Sequence, residues 1–380
     1  MSRRTIVVAP DKFKGSLSAL EVGRAIERGL NHVFADRHAI VIVPMADGGE
    51  GTVAAFVDSG AIPVQRTVRG PLGAPVDALL ACDGDVAILE MASASGLALL
   101  PPDACGARDA SSYGTGELVR AALELGASRI VVGIGGSATN DGGAGMLTAL
   151  GVRFLDGAGN ELPPGGIHLA ALRALDLSGL DPRLRNVALE VAADVDNPLC
   201  GPTGATAVFG PQKGASPEDI PRLDAALANF ADIAARTVEH DYRNEPGAGA
   251  AGGLGFAFMA FLGAQLRPGV EIVAELRGLV EALRGAALCV SGEGRIDEQT
   301  LHGKTVAGVA NISRRYAVPV IALGGTLEPD AEDRLFARGI TCFPIIEKPM
   351  TLESALAGAD TLVQHAAARL ARVLTATWET

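Results

Sequence analysis

Short runs of apolar, largely β-branched residues recur along the chain, and most of them end in stretches dense in glycine and polar side chains. Residues 5–9 (Thr-Ile-Val-Val-Ala), 39–44, 130–134, 187–192, 287–291, 318–323 and 340–346 have the length and composition of buried strands. Helical spacing lies between them: 18–30, opened by Ser18 and Glu21 in capping-box register, then 52–58, a helix opening in 111–117 and closing at Gly126, 217–242, 306–316, and a long closing helix over 352–375. The middle differs. Residues 64–68, 76–81 and 86–91, separated by Gly70-Pro71 and Asp83-Gly84, read as short antiparallel strands joined by turns. Both ends therefore read as βαβα, and neither end alone can cover both faces of a sheet. The pattern predicts an α/β protein whose parallel-sheet domain, residues 1–65 and 285–380, is interrupted by a second, mixed α/β domain over 66–284.

The loops at the carboxyl ends of these strands carry the candidate chemistry, since open α/β sheets bind ligands there. After 130–134, Gly133, Gly135, Gly136, Gly142, Gly143 and Gly145 surround Ser137, Thr139, Asn140 and Asp141. So much glycine exposes backbone N–H groups, which suits a phosphate or carboxylate, and puts Asp141 where it could hold a metal or a hydroxyl. A tight strand-to-helix turn is the plainer alternative. The first loop offers Asp11, Lys12, Lys14 and Ser16; the second, Met45-Ala-Asp-Gly-Gly-Glu-Gly-Thr52, offers Asp47 and Glu50 as carboxylates for Mg²⁺. Glu50 is equally explained as an acid at a helix start. Asp194 and Asp196, separated by one residue, are read as pointing to opposite sides of an extended backbone, which leaves Asp194 as the site candidate and Asp196 to turn chemistry. Hydroxyl-rich loops at 90–96 and 111–117 add Ser93 and Ser95, and 247–255 is either a further anion nest or a closely packed helix start.

Composition narrows the classes. At 380 residues, with 48% hydrophobic residues, 48 glycines and 4% aromatics, the chain suits two Gly-loop-rich domains, and its net charge of −12 disfavours nucleic acid and anionic membrane as partners. Cys82, Cys105, Cys200, Cys289 and Cys342 show no C-x-x-C pairing and read as reduced packing residues. No signal segment follows Arg3-Arg4 and no apolar run is long enough for a bilayer, so the cytoplasm is the expected location. Oligomeric state leaves no mark. Only five basic residues are lysines: Lys12, Lys14, Lys213, Lys304 and Lys348. Four of them sit in or beside Gly-containing loops, where a compact charge can polarise phosphates.

Two familiar nucleotide motifs come close. Gly303-Lys304-Thr305 resembles the end of a P-loop, but Glu298 stands where the earlier glycine is required. Gly133-Ile-Gly135-Gly-Ser-Ala138 matches the dinucleotide fingerprint, with Asp156 spaced as a ribose acid, which makes an NAD-dependent dehydrogenase of a small hydroxy acid the rival enzyme. A non-catalytic small-anion-binding protein is the rival outside enzymes.

Several long motifs, in order and spanning nearly the whole chain, resemble the type I glycerate kinases: residues 9–16 (APDKFKGS), 44–52 (PMADGGEGT), 135–143 (GGSATNDGG), 194–198 (DVDNP), 209–214 (FGPQKG), and 291–294 (SGEG) with Gly303-Lys304. One departure is Ala193, where a cysteine is common. The resemblance implies ATP- and Mg²⁺-dependent phosphorylation of D-glycerate, favouring the 2-position, by a flavodoxin-like domain interrupted by a second α/β domain, with the active site in the cleft between them. On that footing Lys12, Lys14, Lys213 and Lys304 are expected to carry charge to the phosphates, with Asp11, Ser16, Gly135, Gly136, Ser137 and Asn140 in the binding loops. Asp194 ranks before Asp141 and Asp297 as the base. Asp47 and Glu293 are the expected metal ligands, with Glu50 behind them, and Arg295 with Ser93 and Ser95 would hold the glycerate carboxylate.

Overall fold

The computed structural model describes residues 3–101, 104, 106–302 and 304–378. Cys105 and Gly303 lie outside the described residues. The chain forms two compact units, Met1–Asp47 with Val270–Thr380, and Gly48–Gly269.

The first unit holds a five-stranded, all-parallel sheet: β1 (Thr5–Val8), β2 (Ala39–Ile42), β3 (Leu288–Ile296), β4 (Val320–Leu327) and β5 (Ile340–Pro344). Their spatial order is 2-1-3-4-5. This is the flavodoxin-like order, in which ligands bind beyond the carboxyl ends of β1 and β3, where the winding reverses. Ile6, Val8, Leu288 and Val290 supply the sheet side of one core, and Val22, Ile26 and Leu30 of helix α1 (Ala19–Phe34) supply the other. Ser18 and Glu21 cap α1 reciprocally, as the spacing predicts. The long helix expected over 352–375 is two, Leu352–Ala357 and Ala359–Trp378, with Gly358 between them. The second of these packs on α1 so closely that a Cβ on Gly29 would lie 2.2 Å from Gln364 O.

The second unit holds a six-stranded sheet in the order Gln265–Arg267, Ala188–Ala192, Arg129–Gly133, Val86–Glu90, Pro75–Asp83, Ile62–Arg69. The first four are parallel; the last two pair antiparallel, in keeping with the turns between them. The joints between the units fall at 47/48 and 269/270, where the change of composition had suggested 65 and 285. Ile62–Arg69 pairs along its whole length with Pro75–Asp83, which carries that stretch into the second sheet. Val270 packs in turn against Gly308 of the first unit, where a Cβ would come within 2.3 Å of its Cγ1. The 217–242 segment forms the helix Asp219–Val238, whose Phe230 meets Phe154 and Phe256 in the second core.

Candidate functional site

The first unit gathers its chemistry at the switch point. Beyond β1, Ala9 N–H donates to Val290 O and Asp11 N–H to Gly292 O, both at 2.8 Å, so the loop 9–14 runs along the end of β3. Gly294 gives it room: a Cβ there would meet Lys14 N at 3.3 Å and Phe13 Cα at 3.4 Å. The Asp11 carboxylate accepts from Lys12 N–H (2.6 Å) and from the Thr305 hydroxyl at the start of the helix Thr305–Arg314. Burial, followed by the neighbouring charge of Asp47, raises its pKa to about 6. Glu293, on β3, is 6% exposed and accepts from the Thr300 hydroxyl. Burial pushes it up to about 7, opposed by Thr300 and Lys304 and reinforced by Asp11 and Asp297. Asp11, Lys12, Asp47, Glu293, Lys304 and Thr305 thus form one electrostatic neighbourhood.

Its acids suit a hard divalent cation. Among the described residues no three His, Cys, Asp or Glu are grouped so as to hold a metal by themselves. Mg²⁺ takes one or two carboxylates and completes its shell with water and phosphate oxygens, so Asp47 and Glu293, each in electrostatic contact with Asp11, could hold one together with a phosphate ligand. Glu50 belongs to the other unit and is exposed.

Other first-unit candidates have structural employment. Ser16 Oγ donates to Phe13 O at 3.0 Å and closes the turn on which Lys14 stands exposed. Arg295, expected to grip a carboxylate of the substrate, already meets two of the protein's own, Asp297 at 3.2 Å and Glu328, on an exposed face. Asp297 in turn spends Oδ1 on Gln299 N–H (2.9 Å) and Oδ2 on Arg295. That makes it the opening of the Glu298–His302 turn and a poor base.

The second unit presents the glycine loop. Gly135 and Gly136 are exposed at its tip, Gly136 in the left-handed region at φ +74°, while residues 137–143 are buried beneath. Lys213, 2% exposed, braces it, its Nζ donating to Ser137 Oγ at 2.8 Å and Thr139 O at 2.7 Å. Burial depresses the lysine to about 7 against the pull of Asp141. Asn140 Nδ2 donates to Thr206 Oγ1 at 2.9 Å, and its buried Oδ1 has no hydrogen-bond partner among the described residues. Asp141 accepts four hydrogen bonds, from Ser112 N–H (2.8 Å), Ser112 Oγ (2.9 Å), Gly143 N–H (3.0 Å) and Gly145 N–H (3.1 Å). It is 1% exposed and its pKa is raised by burial. Held by three donors on Oδ2 and one on Oδ1, Asp141 is the clamp of the loop. The 247–255 segment proves to be packing. Gly252, at φ +69°, sets its Cα where a Cβ would reach 2.0 Å from Thr139 O, and its carbonyl accepts from Gly142 N–H at 2.9 Å.

Asp194 stands exposed just past the strand Ala188–Ala192, with Oδ1 accepting from Gly269 N–H at 3.2 Å. Asp196, two residues on, is exposed as well. Ser95 is fully buried against Thr115 Oγ1 at 2.9 Å, and Ser93 Oγ donates to Glu90 O at 2.7 Å, so both hydroxyls serve the 92–95 turn and are not turned to a ligand carboxylate. Reading the sequence also passed over Thr300, Thr305 and Ser112 as orienting groups for Glu293, Asp11 and Asp141, which lie seven, 294 and 29 residues away from them, beyond the reach of local spacing rules.

The dinucleotide fingerprint does not fold as one. Helix Ala144–Ala149 opens well past Ala138, and Asp156 sits on a turn after the Arg153–Leu155 strand of a separate two-stranded sheet, accepting from Ala158 and Asn160 N–H at 2.8 and 2.9 Å. Its carboxylate is turned to its own loop, which removes the ribose contact.

A model of the glycerate kinase family matches residues 6–375. Over 373 residues the chain is 49% identical to a glycerate kinase of Bacillus subtilis (strain 168), covering 96% of each sequence. It is 47% identical to a glycerate 2-kinase of Escherichia coli (strain K12), covering 97% of each. A crystal structure of a putative glycerate kinase 2 from Salmonella typhimurium LT2 superposes with a TM-score of 0.91 at 48% identity over the full length of both chains. No described helix is long and apolar enough to cross a membrane.

Proposed function

Because the chain belongs to the glycerate kinase family and is a kinase that phosphorylates glycerate, we propose that it transfers the γ-phosphoryl group of ATP to the 2-hydroxyl of D-glycerate. The observation that carries the choice of donor is the neighbourhood at the β1/β3 switch point, where Lys12 and Lys304 stand beside Asp11, Asp47 and Glu293. Phosphoryl transfer needs little covalent help from a protein; positioning and charge neutralisation supply most of the acceleration.

Lys12 and Lys304 bind the polyphosphate as point charges, and the start of the helix Thr305–Arg314 adds its dipole. Asp47 and Glu293 would hold Mg²⁺, which would supply positive charge to neutralise the phosphates. In the second unit, the exposed amides of Gly135 and Gly136 receive an anionic group, kept in shape by Lys213 and Asp141 from below. Asp194 accepts the proton of the attacking hydroxyl.

Two measurements test this reading. Coupled ADP release on adding D-glycerate checks the donor, and phosphorus NMR of the product tells 2- from 3-phosphoglycerate. Replacing Asp194→Asn lowers kcat by about 10²-fold or more while leaving ATP affinity within about twofold. Unchanged turnover would remove Asp194 from the reaction.

A further inference from the structure

The second unit encloses a cavity of about 700 Å³ that the phosphoryl-transfer residues do not use. It lies between the hairpin turn 70–73, the 109–113 segment, the short helix at 144–148 and the proline turn 162–165. The volume falls within the range of sites for small organic ligands. Its walls are mainly apolar, with Leu72, Phe154, Leu162 and Leu169 among them, and Pro71, Pro163 and Pro164 stiffen the turns. Preformed walls of this kind favour a flat, rigid ligand.

One wall carries a charge. Exposed Arg69 lays its guanidinium over the Tyr113 ring at 3.9 Å; Glu117 Oε2 accepts from its main-chain N–H at 2.6 Å, and among the described residues the guanidinium itself forms no ion pair. Asp109, the acid on the lining, is held by Arg108, whose Nε and Nη2 donate to it at 3.0 and 2.9 Å. The cavity therefore combines an apolar slot, an aromatic face and one cation whose fork is open to an anion.

We propose that this cavity is a binding site for a planar aromatic molecule carrying an anionic group, the ring lying among Leu72, Phe154 and Pro163 and the anion on Arg69. A nucleotide and a separate aromatic acid share that chemistry, and the test distinguishes them. The cavity also reaches the loop clamp, because Gly145 lines it and donates to Asp141.

The probe is 8-anilinonaphthalene-1-sulfonate, with N-phenyl-1-naphthylamine as the uncharged counterpart, titrated into the folded protein and followed by fluorescence. The sulfonate binds saturably at one site per chain. Arg69→Gln weakens it roughly tenfold, in line with the loss of one charge-assisted contact, and leaves the uncharged amine within about twofold. Thr148→Trp, which fills the cavity from an exposed position on its lining, removes both. Circular dichroism and thermal unfolding establish that each variant is folded. Displacement of the sulfonate by ATP identifies the anion as the nucleotide, and failure of ATP to displace it identifies a separate aromatic acid. Binding that both variants leave untouched overturns the site, and an equal loss of both probes in Arg69→Gln overturns the role of charge.

Discussion

Asp141 separates two accounts of the glycine loop. As a base it would be dispensable to folding, and Asp141→Ala would abolish turnover in a protein of normal stability. As the clamp seen here, its loss strands three main-chain donors, Ser112, Gly143 and Gly145 N–H, in a site that is 1% exposed. The Ser112 hydroxyl, which also accepts from Met146 N–H at 2.9 Å, loses its acceptor too. Each buried donor left without a partner costs about 1–3 kcal/mol, partly offset by relief of a buried carboxylate, so Asp141→Ala should destabilise the protein by about 3–5 kcal/mol. Asp141→Asn keeps one acceptor oxygen but turns an NH₂ group toward donors, for a loss of about 2–3 kcal/mol. Urea unfolding at pH 7, followed by tryptophan-independent far-ultraviolet dichroism, measures both. A loss below about 1 kcal/mol in Asp141→Ala would refute the clamp, since no arrangement of four satisfied bonds in a buried site is that cheap to remove.

Three further outcomes follow from the same geometry. Glu293 titrates near 7 in the fold against 4.5 as an ordinary carboxyl, so its contribution to stability is complete below 4.5 and is lost as pH rises through 7; metal-free wild type should lose about 3 kcal/mol relative to Glu293→Gln between pH 4 and pH 8, read by denaturant midpoints. Lys213 has the opposite sign: with its pKa lowered to about 7, the unfolded chain binds the extra proton above that pH, so wild type should gain about 2 kcal/mol on Lys213→Met from pH 7 to pH 9, and a flat difference would deny its burial. Gly252→Ala should cost about 3 kcal/mol or more in thermal unfolding, because a Cβ at φ +69° would press on Thr139 O; an unchanged melting temperature would mean that the loop can retreat.

What the sequence disclosed and what it concealed have different physical origins. The loops were legible because glycine, proline and β-branched runs act locally: Ser18 and Glu21 mark a helix start whatever lies beyond. That both ends share one sheet was legible too, and the resemblance implied its flavodoxin-like order; the register Ile6 to Leu288 was not, since alternation carries no address for a partner. Residue type likewise named the charged and hydroxyl-bearing loops but not which way each group would face. Lys213 was expected to carry charge to the phosphates, whereas the packing of the second unit turns its ammonium inward to Ser137 and Thr139. Asp141 shows the same limit from the other side, because the Ser112 groups that saturate it arrive from 29 residues earlier. A polar loop built on glycine must satisfy its own amides before it can offer any to a ligand. The carboxylate nearest the glycines is therefore the first to be consumed, Asp141 accepting from four donors of its own unit, while Asp11 beyond β1 accepts from Lys12 N–H and Thr305, and Glu293 within β3 from Thr300.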